Sequence, residues 1–112
     1  MSQSTEVIVV VCNAPDEATA RALASALVER RLAACVNILP AVQSVYRWHG
    51  EIEQAGEWPL LIKTTVSRYA EVETLLRERH PYELPEIIAL PLTAGLPGYL
   101  DWVRTQSGLE GH

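Results

Sequence analysis

The alternation of apolar and polar positions divides this chain into six main segments. Residues 5–12, Thr-Glu-Val-Ile-Val-Val-Val-Cys, form a β-branched run with no alternation. Such a run predicts a strand buried on both faces, and therefore a central one. Asn13-Ala14-Pro15-Asp16 breaks it, with Asp16 placed to cap a helix over about 17–30. Ala20, Leu23, Ala24 and Leu27 recur there at helical spacing, and Arg30 and Arg31 close it. Two extended runs, 33–40 and 41–48, lead to His49-Gly50, a two-residue tight turn, and a return strand follows over about 51–64. Pro40 and Pro59 interrupt this hairpin and mark an edge, bend or bulge, because proline donates nothing to a ladder.

A second helix is expected after Thr65 or Ser67 as cap, with Tyr69, Val72, Leu75 and Leu76 on its apolar stripe. It stops at His80-Pro81, since a residue before proline is pushed out of the helical region. A loop over 80–85 feeds a last strand, 86–92, and a short helix is expected near 98–105. The order β-α-β-β-α-β plus a terminal helix is the ferredoxin-like split βαβ pattern, an α+β fold. Both main helices should cover one face of an antiparallel sheet whose first strand lies beside its last. The chain reads as a single domain over 1–112, with 1–4 expected to be disordered and 106–112 a flexible tail.

The middle hairpin is too long for such a core. Extended, residues 33–48 reach about 50 Å at roughly 3.3 Å per residue. The distal half must overhang, yet it carries Val42, Val45, Tyr46, Trp48, Ile52 and Trp58. A two-stranded ribbon with that much apolar surface needs another surface, and an identical chain is the simplest supply. The expected partner is therefore the protein itself.

Charge narrows the partners further. Fourteen acidic and nine basic residues give a net charge of −5, against a surface built to track phosphates, so no nucleic acid is expected. The polar start and the short apolar run Val7–Val11 resemble neither an export signal nor a membrane span. The expected compartment is the cytoplasm, with Cys12 and Cys35 as reduced thiols.

The topology brings three ligand types to one sheet edge: Cys12 ends the first strand, Glu86 opens its antiparallel neighbour, and His80 lies in the loop leading into that neighbour. Thiolate and imidazole favour copper or zinc over magnesium. Each residue also has a plainer role: Cys12 as a small buried apolar group, His80 as the closure of a helix C-terminus, Glu86 as a solvated charge, and His49 as an exposed turn residue. Cys12 and His80 could in principle form a nucleophile pair, but no orienting residue, oxyanion hole or glycine-rich phosphate loop is legible, so no catalytic residue is assigned and the chain is not expected to be an enzyme.

The blocks ACVNI, YRWHG, IKT and HPYELPEI, in this order within a match running from about Glu6 to Val103, resemble the CutA family of divalent-cation tolerance proteins. The resemblance implies a homotrimer of ferredoxin-like subunits whose long hairpins pair across subunits, high resistance to unfolding, and a role in tolerance of copper and other divalent cations. It also implies copper held by residues matching Cys12, His80 and Glu86. Some members carry two adjacent histidines before the Pro-Tyr; here the first is Arg79, a permanent cation that cannot ligate. An alternative follows from the likeness of these trimers to the PII nitrogen-regulatory trimers: a module binding a small anionic effector between subunits, with Lys63 and Tyr82 as cleft residues.

Overall fold

A computed structural model describes residues 5–108. Strand β1 (Val7–Ala14) leads to helix α1 (Glu17–Glu29), then strands β2 (Cys35–Ile38), β3 (Val42–Trp48) and β4 (Glu51–Thr65). A 3-10 turn (Val66–Arg68) enters helix α2 (Tyr69–Arg79), followed by strand β5 (Ile87–Pro91) and helix α3 (Pro97–Gln106). The sheet order is β2-β4-β1-β5, with β3 also paired to β4, and all these pairings are antiparallel. This is the expected ferredoxin-like topology, with β1 central and beside β5.

The expected double burial of β1 holds on one face only. Val10, Cys12 and Ala14 are fully buried with α1 and α2 residues in the main core, which Leu23, Leu27, Leu60, Ile62, Val72 and Leu76 fill. On the other face Val9, Val11 and Asn13 are half-buried. The terminal helix covers only one end of that face, where Val7 and Ala34 pack with Val103, Leu92 and Leu100. Ile88 and Leu90, paired with Val11 and Val9, are 50% and 47% exposed.

Local signals explain the element ends. The Asp16 carboxylate accepts from the Thr19 N–H at 2.7 Å and caps α1; that bond holds its carboxyl below the ordinary carboxylate value. Helix α1 ends without glycine. Arg31 takes φ 58° instead, and its guanidinium holds the position by donating to the carbonyls of Thr105 and Gly108. Neither Thr65 nor Ser67 caps α2; their hydroxyls bond each other at 3.1 Å. His80 leaves the helix with ψ 136°, as the following proline requires.

The hairpin differs from one long strand pair. Pro40 separates β2 from β3, and the 15-residue β4 serves both, pairing with β2 over Leu60–Lys63 and with β3 over Glu51–Glu57. Residues 57–59 are the join between sheet and ribbon. Pro59 sits there, its carbonyl accepting the Leu39 N–H at 2.9 Å. His49 (φ 50°) and Gly50 (φ 82°) form the tip, both in the left-handed region of a type I′ turn. The ribbon overhangs as expected, with Val45 65% and Ile52 61% exposed. Trp58 does not belong to the overhang: it is half-buried against the main core.

Two residues assigned to a flexible tail, Gln106 and Ser107, are structured. Helix α3 reaches Gln106, and Ser107 is buried, its hydroxyl donating to the Val103 carbonyl at 2.6 Å. Residues 1–4 and 109–112, also assigned as loose ends, lie outside the described residues.

Candidate functional site

The C-terminal end of β1 meets the 80–86 loop and the root of the hairpin, and Asn13 is the residue that joins them. Its side-chain amide donates to Glu86 Oε1 at 3.0 Å and to Glu57 Oε1 at 3.4 Å. Its backbone carbonyl accepts from His80 Nε2 at 2.6 Å. His80 Nδ1 in turn accepts the Tyr82 N–H at 3.1 Å. The two bonds together define an imidazole protonated on Nε2 and bare on Nδ1. The Tyr82 ring lies 4.7 Å from the His80 ring, and its hydroxyl donates to Glu57. Desolvation first, then that bond and the Glu57 charge, push the Tyr82 hydroxyl up to about 12, so it stays a donor at neutral pH.

Cys12 stands one residue away and faces the other way. It pairs with Ile87 in β5 and shares the helix-facing parity of Val10 and Ala14. Side chains alternate along a strand, so it is Asn13 that meets Glu86. Burial raises the Cys12 thiol to about 12, with the charges of Glu86 and Glu57 adding to the effect and a backbone bond opposing it. Cys12 and Cys35 are both free thiols.

The expected convergence of Cys12, His80 and Glu86 is therefore incomplete. Among the described residues of one chain, no three His, Cys, Asp or Glu side chains are grouped to hold a metal ion. His80 already uses both ring nitrogens, and ligation through either would break a bond. Nor is Cys12–His80 an activated nucleophile pair, because burial holds the thiol neutral and the imidazole is engaged elsewhere. Lys63 and Tyr82 do not share a cleft within the chain: Lys63 bonds the Asn37 side chain, six positions along β4 from Glu57, about 20 Å at strand spacing.

An open cleft of about 740 Å³ lies over this junction. Tyr46 and Trp48 of β3, Tyr82 and Leu84 of the loop, and Glu57 and Glu86 are among the residues that line it. Glu57 is 7% exposed. Glu57 and Asn13 escape a reading from sequence alone. Glu57 stands in the polar run EIEQAGEW, which reads as a solvated ribbon, and Asn13 in what reads as a turn. The one available signal is Trp58-Pro59 beside Glu57, which marks where the ribbon folds back onto the domain.

Fold and junction together define a ferredoxin-like α+β subunit with an overhanging ribbon and a carboxylate-lined cleft at its root. The family described as CutA1 divalent ion tolerance protein matches residues 8–106, and the chain belongs to that family. The divalent-cation tolerance protein CutA of Thermus thermophilus is 48% identical over 100 residues, covering 89% of this chain and 97% of the relative. The solved structure of the Cut A1 protein from that organism superimposes with a TM-score of 0.89 at 47% identity, covering 91% and 99% of the two chains. The structure of a protein described as the periplasmic divalent cation tolerance protein CutA from Archaeoglobus fulgidus gives a TM-score of 0.88 at 35% identity, covering 91% and 99%. No helix among the described residues is long and apolar enough to cross a membrane.

Proposed function

We propose that this chain acts in divalent-cation tolerance as a cytosolic homotrimer that meets the metal ion, copper foremost, at the Asn13 end of the sheet. The observation that carries the metal contact is the Asn13 junction, which gathers Glu86 and Glu57 one residue from a soft thiol. The two carboxylates supply negative charge, and Cys12, buried on the helix-facing side of β1, adds a thiophilic donor only by turning toward them. His80 joins this ligand set only by releasing Asn13 or Tyr82; as arranged, it braces the junction. Self-association is supported by the exposed apolar ribbon and by the uncovered Ile88–Leu90 stretch of the sheet face. The two free cysteines fit a reducing compartment.

No observation favours the anionic effector over this reading. Within one chain the cleft's lining residues include no Lys, Arg or His, and Lys63 lies away from it; a cleft between subunits would have to bring Lys63 in from the neighbouring copy.

The test is copper binding against a competing chelator at near-neutral pH with thiols kept reduced. One ion per chain is expected, with binding lost in Cys12→Ser and Glu86→Gln. Unchanged affinity in both variants overturns the metal contact. A monomer by light scattering overturns the assembly.

A further inference from the structure

We propose that a second copy of this chain fills the cleft at the hairpin root, its Arg47 entering to pair with Glu57. This rests on the self-association proposed above and adds to it the receiving surface, the orientation of the contact and the residue that the neighbour supplies.

The pairing register gives the ribbon two unlike faces. Directly paired residues share a face, and successive residues alternate between faces. Tyr46 pairs with Glu53 and Trp48 with Glu51, and Glu57 has the same parity through its pairing with Val42. That face is acidic and aromatic, and it holds no Lys or Arg. Arg47 pairs with Ile52, and Val45 with Gln54, on the opposite face. This second face carries the ribbon's one Lys or Arg and no carboxylate. It also carries Ile52, 61% exposed, and Val45, 65% exposed, which borders the cleft as well. The faces complement each other in charge, and neither complements itself.

The cleft suits the group that Arg47 offers. Glu57 is more than nine-tenths buried, and its partners are the neutral Asn13 amide at 3.4 Å and the neutral Tyr82 hydroxyl. A buried carboxylate is costly without an opposite charge. The ion pairs among the described residues are Arg21–Glu17, Arg68–Glu71 and Arg104–Asp101, which include neither Glu57 nor Arg47. Arg47 is exposed and turned away from its own Glu57, so the pair forms only between copies. Lys63, in contrast, is already engaged with the Asn37 side chain. A guanidinium can stack on a ring while its fork donates to a carboxylate, and Tyr46, Trp48 and Tyr82 line this cavity. One guanidinium against Glu57, Glu83 and Glu86 leaves the cleft anionic, so the metal contact keeps its negative charge.

Because the two surfaces differ, the contact is heterologous. Such a contact closes into a ring or continues as a filament. A two-fold dimer pairs a patch with itself, so a trimer is the smallest ring that this contact closes, in keeping with the homotrimer proposed above.

The experiment has two arms, both on the full-length protein. In the first, chains carrying Arg47→Cys or Glu83→Cys are expressed separately and together, then treated with a short bis-maleimide. Cross-linked dimer above the parent's background is expected only from the co-expressed chains. Cross-linking of Arg47→Cys chains to one another overturns the proposal, as does no cross-link in the co-expressed sample. The second arm follows subunit exchange between labelled and unlabelled copies. Arg47→Gln should speed exchange about tenfold, the scale of one charge-assisted hydrogen bond. Glu57→Gln should act similarly, and the double variant should exchange no faster than either alone. Exchange unchanged in Arg47→Gln overturns the proposal, as does a further acceleration in the double variant. Should Glu57→Gln fail to fold, the cross-linking and Arg47→Gln decide the matter. Light scattering of the parent separates this contact from the reading beneath it. A monomeric parent overturns self-association itself, whereas an assembled parent that fails either arm overturns the Arg47 contact alone.

Discussion

The imidazole of His80 donates to the carbonyl of Asn13 at 2.6 Å and so ties the exit of α2 to the end of β1, 67 residues earlier. His80 is buried, and its other nitrogen accepts the Tyr82 N–H. Removing it leaves a carbonyl and an amide without partners. His80→Ala should therefore destabilise the fold by about 1–3 kcal/mol, the usual cost of orphaning a buried polar group. Denaturant unfolding of the purified variant measures this. A variant as stable as the parent would show that the brace is dispensable.

This bond also explains what was legible in the sequence and what was not. The fold was legible because its determinants are local: the apolar run of β1, the Asp16 cap, the stop at His80-Pro81, and the overlong hairpin with its turn at His49-Gly50. The site was legible only to the level of one sheet edge. Cys12, His80 and Glu86 do come to the same end of the sheet. Yet whether two strand residues face one another depends on register, and a single step reverses the face. Ile87, and not Glu86, pairs with Cys12, so Asn13 takes the position beside Glu86. Glu57 was hidden for a different reason. Its burial depends on the ribbon root folding against the 80–86 loop, a contact between segments more than twenty residues apart that no local pattern encodes.

Cys12 gives the protein an alkaline weakness. The thiol titrates near 9.0 when unfolded and at about 12 in the folded chain, chiefly because burial disfavours the thiolate. Between those values the unfolded state holds fewer protons than the native state, so stability falls as pH rises, by about 1.4 kcal/mol per pH unit at most. Below the unfolded value the group contributes no slope. Cys12→Ala should flatten the stability profile above pH 9, read by denaturant midpoints across pH 8–11. An unaltered slope would assign the alkaline loss to other groups.

The hairpin tip places two successive residues at positive φ, His49 at 50° and Gly50 at 82°. Nothing lies within 4 Å of a Cβ built on Gly50, so a substitution there meets no steric clash and its cost is conformational. Gly50→Ala should lower stability by about 1–2 kcal/mol, the penalty for an L-residue in the left-handed region. His49→Asn should be neutral or favourable, since asparagine accepts that region more readily. Thermal unfolding of the two variants checks the pair, and equal losses in both would contradict the turn assignment.

The last prediction concerns the ribbon as an assembly surface. Val45 and Ile52 are 65% and 61% exposed, on adjacent strands whose pairings are Val45 with Gln54 and Ile52 with Arg47. In an isolated chain neither side chain is buried, so a charge at either position should change stability by less than about 0.5 kcal/mol, as for ordinary surface sites. In a homotrimer that covers the ribbon, each would place an unpaired charge in an apolar contact, a cost repeated at every interface. The Val45→Glu, Ile52→Glu double variant should therefore shift the particle toward the monomer in light scattering. It should also make thermal unfolding dependent on protein concentration, because folding would then be coupled to a weakened association. Retention of the parent's mass and unfolding temperature would mean that the ribbon is not the surface through which the chains meet, and would move the search to the uncovered sheet face around Ile88 and Leu90.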